Sequence, residues 1–333
     1  MDTTYAPMVV GLGALGLALC YLLKKPKESS VSVSVGRGGL EVVKLKHKGG
    51  ASAEIYTFGA TVTSYKKNKT REVLWVSEGA VFDGEKAIRG GIPLVFPQFG
   101  PTADAALGVP SSTKQHGFAR ISQWQLETSD SSDSSDCCTA VLRLTDSEAT
   151  RALFPFGFEL SYTVTLDATS LRTELKITNV DDSNKPFAPQ ALLHTYYAAD
   201  PETTAVQGLE AHTYVDQLTQ NVAVQAGPVN FHGETDRIYD GGAITKPKTL
   251  STPTLRIDVD ATLVVDDDDT KKPFAPDVVV WNPHVKKAKS MSDFDDDGWR
   301  HMICLEPGVL AKSRPKINPG DAIILGQTIT PID

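Results

Sequence analysis

Six polar side chains are of types that could do chemistry: Arg89, Gln115, Arg120, His194, Asp236 and Glu306. Glu306 carries the strongest signal. It follows the apolar run Met302-Ile303-Cys304-Leu305 and precedes Pro307-Gly308, so it reads as a carboxylate at the end of a buried strand. Such a group is costly unless it is paired or functional. The alternatives are a tie to a neighbouring arginine or backbone amides, and proton transfer. His194 lies in LLHTYY. A histidine among apolar and aromatic residues is either a satisfied core residue or an imidazole tuned for acid–base work.

Arg89 opens the stretch Ala87–Phe99, AIRGGIPLVFPQF. Gly90 and Gly91 permit backbone conformations closed to other residues and a close ligand approach. Pro93 and Pro97 exclude a helix interior or a central strand. Arg89 is therefore expected on a constrained loop opening into a buried, irregular segment; a solvated arginine on a tight turn is the plainer reading. Arg120 belongs to QHGFAR, with Gln115 and His116 beside it. There His116 reads as a packed loop histidine. Two guanidiniums beside glycines and apolar residues would suit a phosphate, because each presents a planar fork of donors. Asp236 in GETDRIY either pairs with Arg237 on a loop or accepts hydrogen bonds from sugar hydroxyls.

The rest of the chain bounds these readings. It has 333 residues, 41% hydrophobic and 22% charged, with ample length for a large core. A formal charge of −8 without a long basic run argues against a nucleic-acid partner, while leaving room for a local basic pocket. The cysteines are Cys20, Cys137, Cys138 and Cys304, with no CxxC pair, so neither a disulfide framework nor a zinc site is indicated and a reducing compartment fits best.

The elements that must position the six groups are short strands. From Leu40 onward, LEVVKLKH, AEIYTF, TVTSYKK, EVLWVS, TAVLRLTD, FELSYTVTLDATSLRTELKITNVD, TLRIDVDATLVV, PDVVVWNP and DAIILGQTITPID are rich in Val, Ile, Thr and aromatics and are separated by turn residues. Ala168-Thr169-Ser170 reads as a hairpin turn. Ser129–Asp136 and Asp266–Asp269 read as solvated loops. Many strands with no major helix predict an all-β fold, a large antiparallel β-sandwich, as one domain over residues 39–333. Residues 27–38, polar and serine-rich, read as a linker. Residues 6–23 form 18 uncharged residues followed by Lys24, Lys25 and Lys27, which predicts an N-terminal apolar helix. Residues 1–26 are thus expected to be a single-pass membrane anchor or a targeting segment. The positive-inside rule puts the remaining domain in the cytosol, with organelle targeting as the alternative.

Taken together and in order, RGGIPLVFPQFG, QHGFAR, LLHTYY, ETDRIY and WNP with CLEPG resemble the aldose 1-epimerase superfamily, in particular its hexose-6-phosphate branch. The resemblance runs from about residue 38 to the end. It implies a galactose mutarotase-like supersandwich with an open cleft, an isomerase, and no metal or organic cofactor. By motif, His194 and Glu306 match the catalytic residues. Arg89, Gln115 and Arg120 match substrate-binding positions, with the arginines as phosphate contacts, and Asp236 matches a sugar-binding aspartate. The implied partner is a small-molecule sugar phosphate. On this reading Glu306 takes the proton of the C1 hydroxyl while protonated His194 donates to the ring oxygen, and closure on the other face of C1 reverses the roles. The competing readings are an epimerase of unphosphorylated aldoses, a non-catalytic carbohydrate-binding protein and, last, a glycoside hydrolase, which usually needs two facing carboxylates.

Overall fold

In the computed structural model the residues described are 28–100, 114–130, 136–183, 185–241, 248–265, 270–310 and 314–332. The expected apolar helix over residues 6–23 and the acidic tip Asp266–Asp269 lie outside them. Among the described residues no helix is long and apolar enough to cross a membrane, so they lend the anchor no support.

The period-two alternation of the sequence builds three larger antiparallel sheets. One has four strands, Ser30–Val35, Glu41–Lys46, Ser52–Tyr56 and Thr61–Lys66, in simple meander order. A second, eight-stranded, has Leu255–Val265, Ala322–Pro331, Leu171–Asn179 and Phe158–Leu166 at its centre. In FELSYTVTL alternate residues are buried from Phe158 to Leu166, as a strand with one face on a core requires. Its hairpin turn forms where expected: the Asp167 carboxylate accepts the backbone N–H groups of Thr169 and Ser170 at 2.6 and 2.7 Å. The third sheet, also eight-stranded, carries the candidate site. Its central strands are Thr235–Tyr239, Asp277–Asn282 and Met302–Val309, followed by the broken pair Ala191–Leu193 and Tyr196–Ala198.

All three sheets turn apolar side chains into one core. Val43 and Leu45, Leu160 and Ile177, and Val280 and Leu305 belong to the same buried cluster. Each such side chain contributes about 1.5–3 kcal/mol by leaving water.

Two expectations need correction. The serine-rich segment read as a linker contains a strand, since Ser30–Val35 pairs residue for residue with Glu41–Lys46. Its serines face outward while Val31 packs on the core. Glu306 does not end its strand. The strand runs through Pro307 and Gly308 to Val309, with Val278 opposite Pro307.

Candidate active site

Residues 302–309 alternate between two environments. Ile303 and Leu305 face the core, while Cys304 and Glu306 project from the opposite face of the sheet. The neighbouring strands obey the same period. Asp236 lies opposite Trp281, Trp281 opposite Cys304, and Cys304 opposite Tyr196, which makes one row across four strands. In the adjacent row Val279 lies opposite Glu306.

His194 completes that row. The pairings of Leu192 with Gly308 and of Tyr196 with Cys304 share one register, which sets His194 across from Glu306. The ladder breaks there, and the His194 N–H donates instead to the Pro93 carbonyl at 3.0 Å. The alternation is anchored from behind. Thr195 and Tyr197 point into the core, where Gln327 of the second sheet donates to Thr195 Oγ1 at 2.8 Å and accepts from the Tyr197 hydroxyl at 3.2 Å. His194 and Tyr196 therefore face the cleft. Their rings stack in parallel, 4.8 Å apart.

The segment led by Arg89 runs alongside this strand. Leu94 and Val95 pair with Leu193 and Leu192, and the Tyr196 N–H reaches the Gly91 carbonyl at 2.9 Å. Pro93 and Pro97 are tolerated because the segment is the sheet's edge. Gly91 has φ +69°, and a Cβ there would lie 2.1 Å from the Val62 carbonyl oxygen. The constrained geometry expected around Arg89 is thus observed. Its Nε and Nη2 donate to the two carboxylate oxygens of Asp293, each at 3.2 Å, and Nη1 donates to the Tyr196 hydroxyl at 3.2 Å.

These elements enclose a cleft of about 290 Å³ lined by Arg89, Gln115, Arg120, His194, Asp236 and Glu306. All six residues singled out in the sequence meet there. Asp236 does not pair with Arg237, because successive strand residues face opposite ways; Arg237 instead approaches Asp216 and lies over Tyr214. The cleft also holds His116, Trp281 and Lys287, which the sequence reading did not place among the site residues. Lys287 lies on a short helix, His284–Lys289, and Asp293 in the loop after it. Nothing local marks them. The Asn282 side chain seats this region by donating to the Trp299 and Met302 carbonyls at 2.9 and 2.8 Å.

The electrostatics are unusual. His194 is 8% exposed and Glu306 1%, and Nδ1 of the one is 3.3 Å from Oε1 of the other. Burial, then the charges of Arg120 and Arg89, hold the His194 imidazole well below its ordinary value. Burial and then Asp236 push the Glu306 carboxyl well above its own. Both directions favour the uncharged forms, opposite to the charged-base, protonated-acid state expected from the resemblance. Burial, followed by Glu234 and Asp216, raises Asp236 to about 6. Arg120 is lowered to about 10 by burial and then by Arg89. Among the described residues it has no ion pair. Its Nη2 donates only to the Gln115 carbonyl, at 2.7 Å, and its buried Nε has no partner. The donor atoms of His194, Cys304 and Glu306 lie within 4.8 Å of one another. His194 and Glu306 thus face each other over a buried thiol, which burial and then Glu306 push well above its ordinary value.

A buried acid–base pair beside a half-neutralised cationic pocket can move protons on a small anionic substrate. Comparison with known proteins gives the family. The aldose 1-epimerase family profile matches residues 41–328. A "putative glucose-6-phosphate 1-epimerase" of Cenchrus ciliaris is 33% identical over 289 residues, covering 82% of this chain and 80% of its own. A protein of the same name from Escherichia coli K12 is 29% identical over 281 residues, covering 81% and 84%. The crystal structure of a "putative mutarotase" from Salmonella typhimurium superposes with a TM-score of 0.72 at 27% identity, covering 91% of this chain and 94% of that one. The galactose 1-epimerase of Lactobacillus acidophilus, at 12% identity and TM-score 0.66 with 92% and 99% covered, shares the fold. From about residue 41 onward, in sequence and in architecture, the chain belongs to the aldose 1-epimerase family.

Proposed function

We propose that this protein interconverts the α and β anomers of a hexose 6-phosphate, with glucose 6-phosphate as the favoured substrate. The observation that carries the phosphate is Arg120, a guanidinium without a counter-ion among the described residues, in a cleft that already holds Arg89. A substrate phosphate supplies the missing charge and bidentate acceptors for both arginines. The names of the relatives in Cenchrus ciliaris and Escherichia coli support the same substrate.

Glu306 and His194 act on the two oxygens of the anomeric centre. The carboxylate takes the proton of the C1 hydroxyl, the imidazolium gives one to the ring oxygen, and the C1–O5 bond opens to the aldehyde. Rotation about C1–C2 and the reverse transfers close the ring with C1 inverted. Asp236 and Gln115 hold sugar hydroxyls. No atom is gained or lost, and the pair ends with the protons it began with.

Arg120→Gln tests the reading. It should reduce kcat/KM for glucose 6-phosphate at least about 100-fold, the scale of a lost charge-assisted contact, and that for free glucose by less than about threefold. Equal losses on the two sugars would remove the phosphate from the account.

A further inference from the structure

We propose that the phosphate of the substrate is an activator of the His194–Glu306 pair and not only an anchor. The inference rests on the phosphosugar reading above and goes beyond it, because it assigns the phosphate a part in the chemical step.

The geometry couples the two ends of the cleft. Tyr196 stacks on the His194 ring at 4.8 Å and accepts a hydrogen bond from Arg89 at 3.2 Å, so one aromatic ring separates the phosphate arginine from the imidazole. From the other side the His116 ring stands edge-on to His194, 5.6 Å away, on the same loop as Arg120. His116 is itself held neutral by burial and by the charge of Arg120. On the loop side the groups that bear on His194 are therefore cationic or neutral. Arg120 and Arg89 come from the loops, His116 and Tyr196 are uncharged, and Lys287 lines the cleft from the short helix. The anionic groups are Glu306, directly across, and Asp236 two strands beyond, with Asp293 taken up by Arg89.

The two arginines stand on the imidazole side of the pair and Asp236 on the carboxylate side, two strands beyond Glu306. Arg89 reaches the imidazole through the Tyr196 ring, and Arg120 shares a loop with the His116 ring that stands edge-on to it. A phosphate dianion between Arg89 and Arg120 offsets the repulsion on the nearer imidazole more than it raises the farther carboxyl. The pair's proton then moves from the carboxyl to the ring. The pair arrives in the state that ring opening consumes, with Glu306 able to accept and His194 able to donate. A sugar lacking the phosphate meets the pair in the opposite state. The cleft thus discriminates between phosphorylated and free sugar in kcat as well as in binding.

The test supplies the phosphate separately from the sugar. Anomer exchange of free glucose by the full chain is measured at pH 7.5 with and without inorganic phosphate, after subtracting the exchange that phosphate alone catalyses. The His194 ring signal, assigned by its loss in His194→Gln, is followed in the same samples by NMR. Phosphate should raise kcat for glucose about tenfold, the change expected when the imidazole value rises by about one unit, with KM for glucose changed less than twofold. The His194 signal should move toward imidazolium, and Arg120→Gln should abolish both effects. If phosphate competes with glucose 6-phosphate yet leaves kcat for glucose and the His194 signal unchanged, the activation is overturned while the phosphosugar reading stands. If phosphate neither competes nor activates, and glucose 6-phosphate is not preferred to glucose, the two fall together.

Discussion

Nδ1 of His194 lies 3.3 Å from Oε1 of Glu306, yet no hydrogen bond joins them, and Nδ1 and the second carboxylate oxygen are both buried without a partner among the described residues. Two orphaned polar atoms at one place are expensive for a fold to keep. The cost is understandable if the missing partners are the O1 and O5 atoms of a sugar.

Removal of either group should therefore act on the chemical step. Glu306→Gln and His194→Ala should each lower kcat by about 10²–10⁴-fold, the usual worth of one acid–base group, with KM changed only a few-fold. Steady-state anomerisation across substrate concentration checks this. A large rise in KM at unchanged kcat would make the two residues binding groups.

The pH dependence follows from the directions of the two shifts. His194 is held down and Glu306 is pushed up. Below the lower of the two values the pair carries two protons and Glu306 cannot accept; above the higher it carries none and His194 cannot donate. The kcat/KM profile should be a bell between these limits. Activity should fall with acid as the imidazole gains the second proton, and with alkali as the pair loses its last one. A flat profile between pH 5 and 9 would contradict both roles.

Asp236 separates stability from activity. Its carboxyl is raised to about 6 from an ordinary 3.8, so the folded state holds this proton more tightly than the unfolded chain does. The associated stability is complete below about pH 4 and is lost as pH rises through about 6. At pH 7.5 the ionised carboxylate destabilises the fold. A two-unit shift corresponds to about 3 kcal/mol, and solvent screening of a half-buried group reduces that to about 1–2 kcal/mol. Asp236→Asn should thus raise the denaturation midpoint while raising KM. A lower midpoint would show that the carboxylate stabilises the strand Thr235–Tyr239 instead.

Gly91 sets the position of Arg89. With φ +69° and the Val62 carbonyl 2.1 Å from a would-be Cβ, Gly91→Ala should cost more than about 2 kcal/mol. Urea denaturation checks this. A neutral result would mean that the edge segment Gly91–Val95 moves freely against the strand Thr61–Lys66.

The sequence made much of this legible, for reasons that can be named. Strand alternation in FELSYTVTL or TLRIDVDATLVV is a local property, so the sandwich could be read directly. Arg89, Arg120, His194 and Glu306 stood out because each sits against glycine, proline or apolar neighbours where a charge is conspicuous. The strand Ser30–Val35 was obscured by its composition, although SVSVSV has the period of two. Pro307 concealed the continuation of the Glu306 strand, because a proline usually closes a strand; here the partner strand breaks at His194 and Thr195. Asp293, Lys287 and Tyr196 could not be picked out. Their roles arise from the loop after the helix His284–Lys289 and from a stacking contact, both of which depend on tertiary packing.

The central claim is that His194 and Glu306 exchange the anomers of glucose 6-phosphate. Saturation-transfer NMR of glucose 6-phosphate with the parent protein, Glu306→Gln and His194→Ala tests it most directly. The account predicts exchange well above the spontaneous rate with the parent and near that rate with either variant. Exchange undiminished in both variants, or no acceleration by a folded parent that still binds the sugar phosphate, would contradict it.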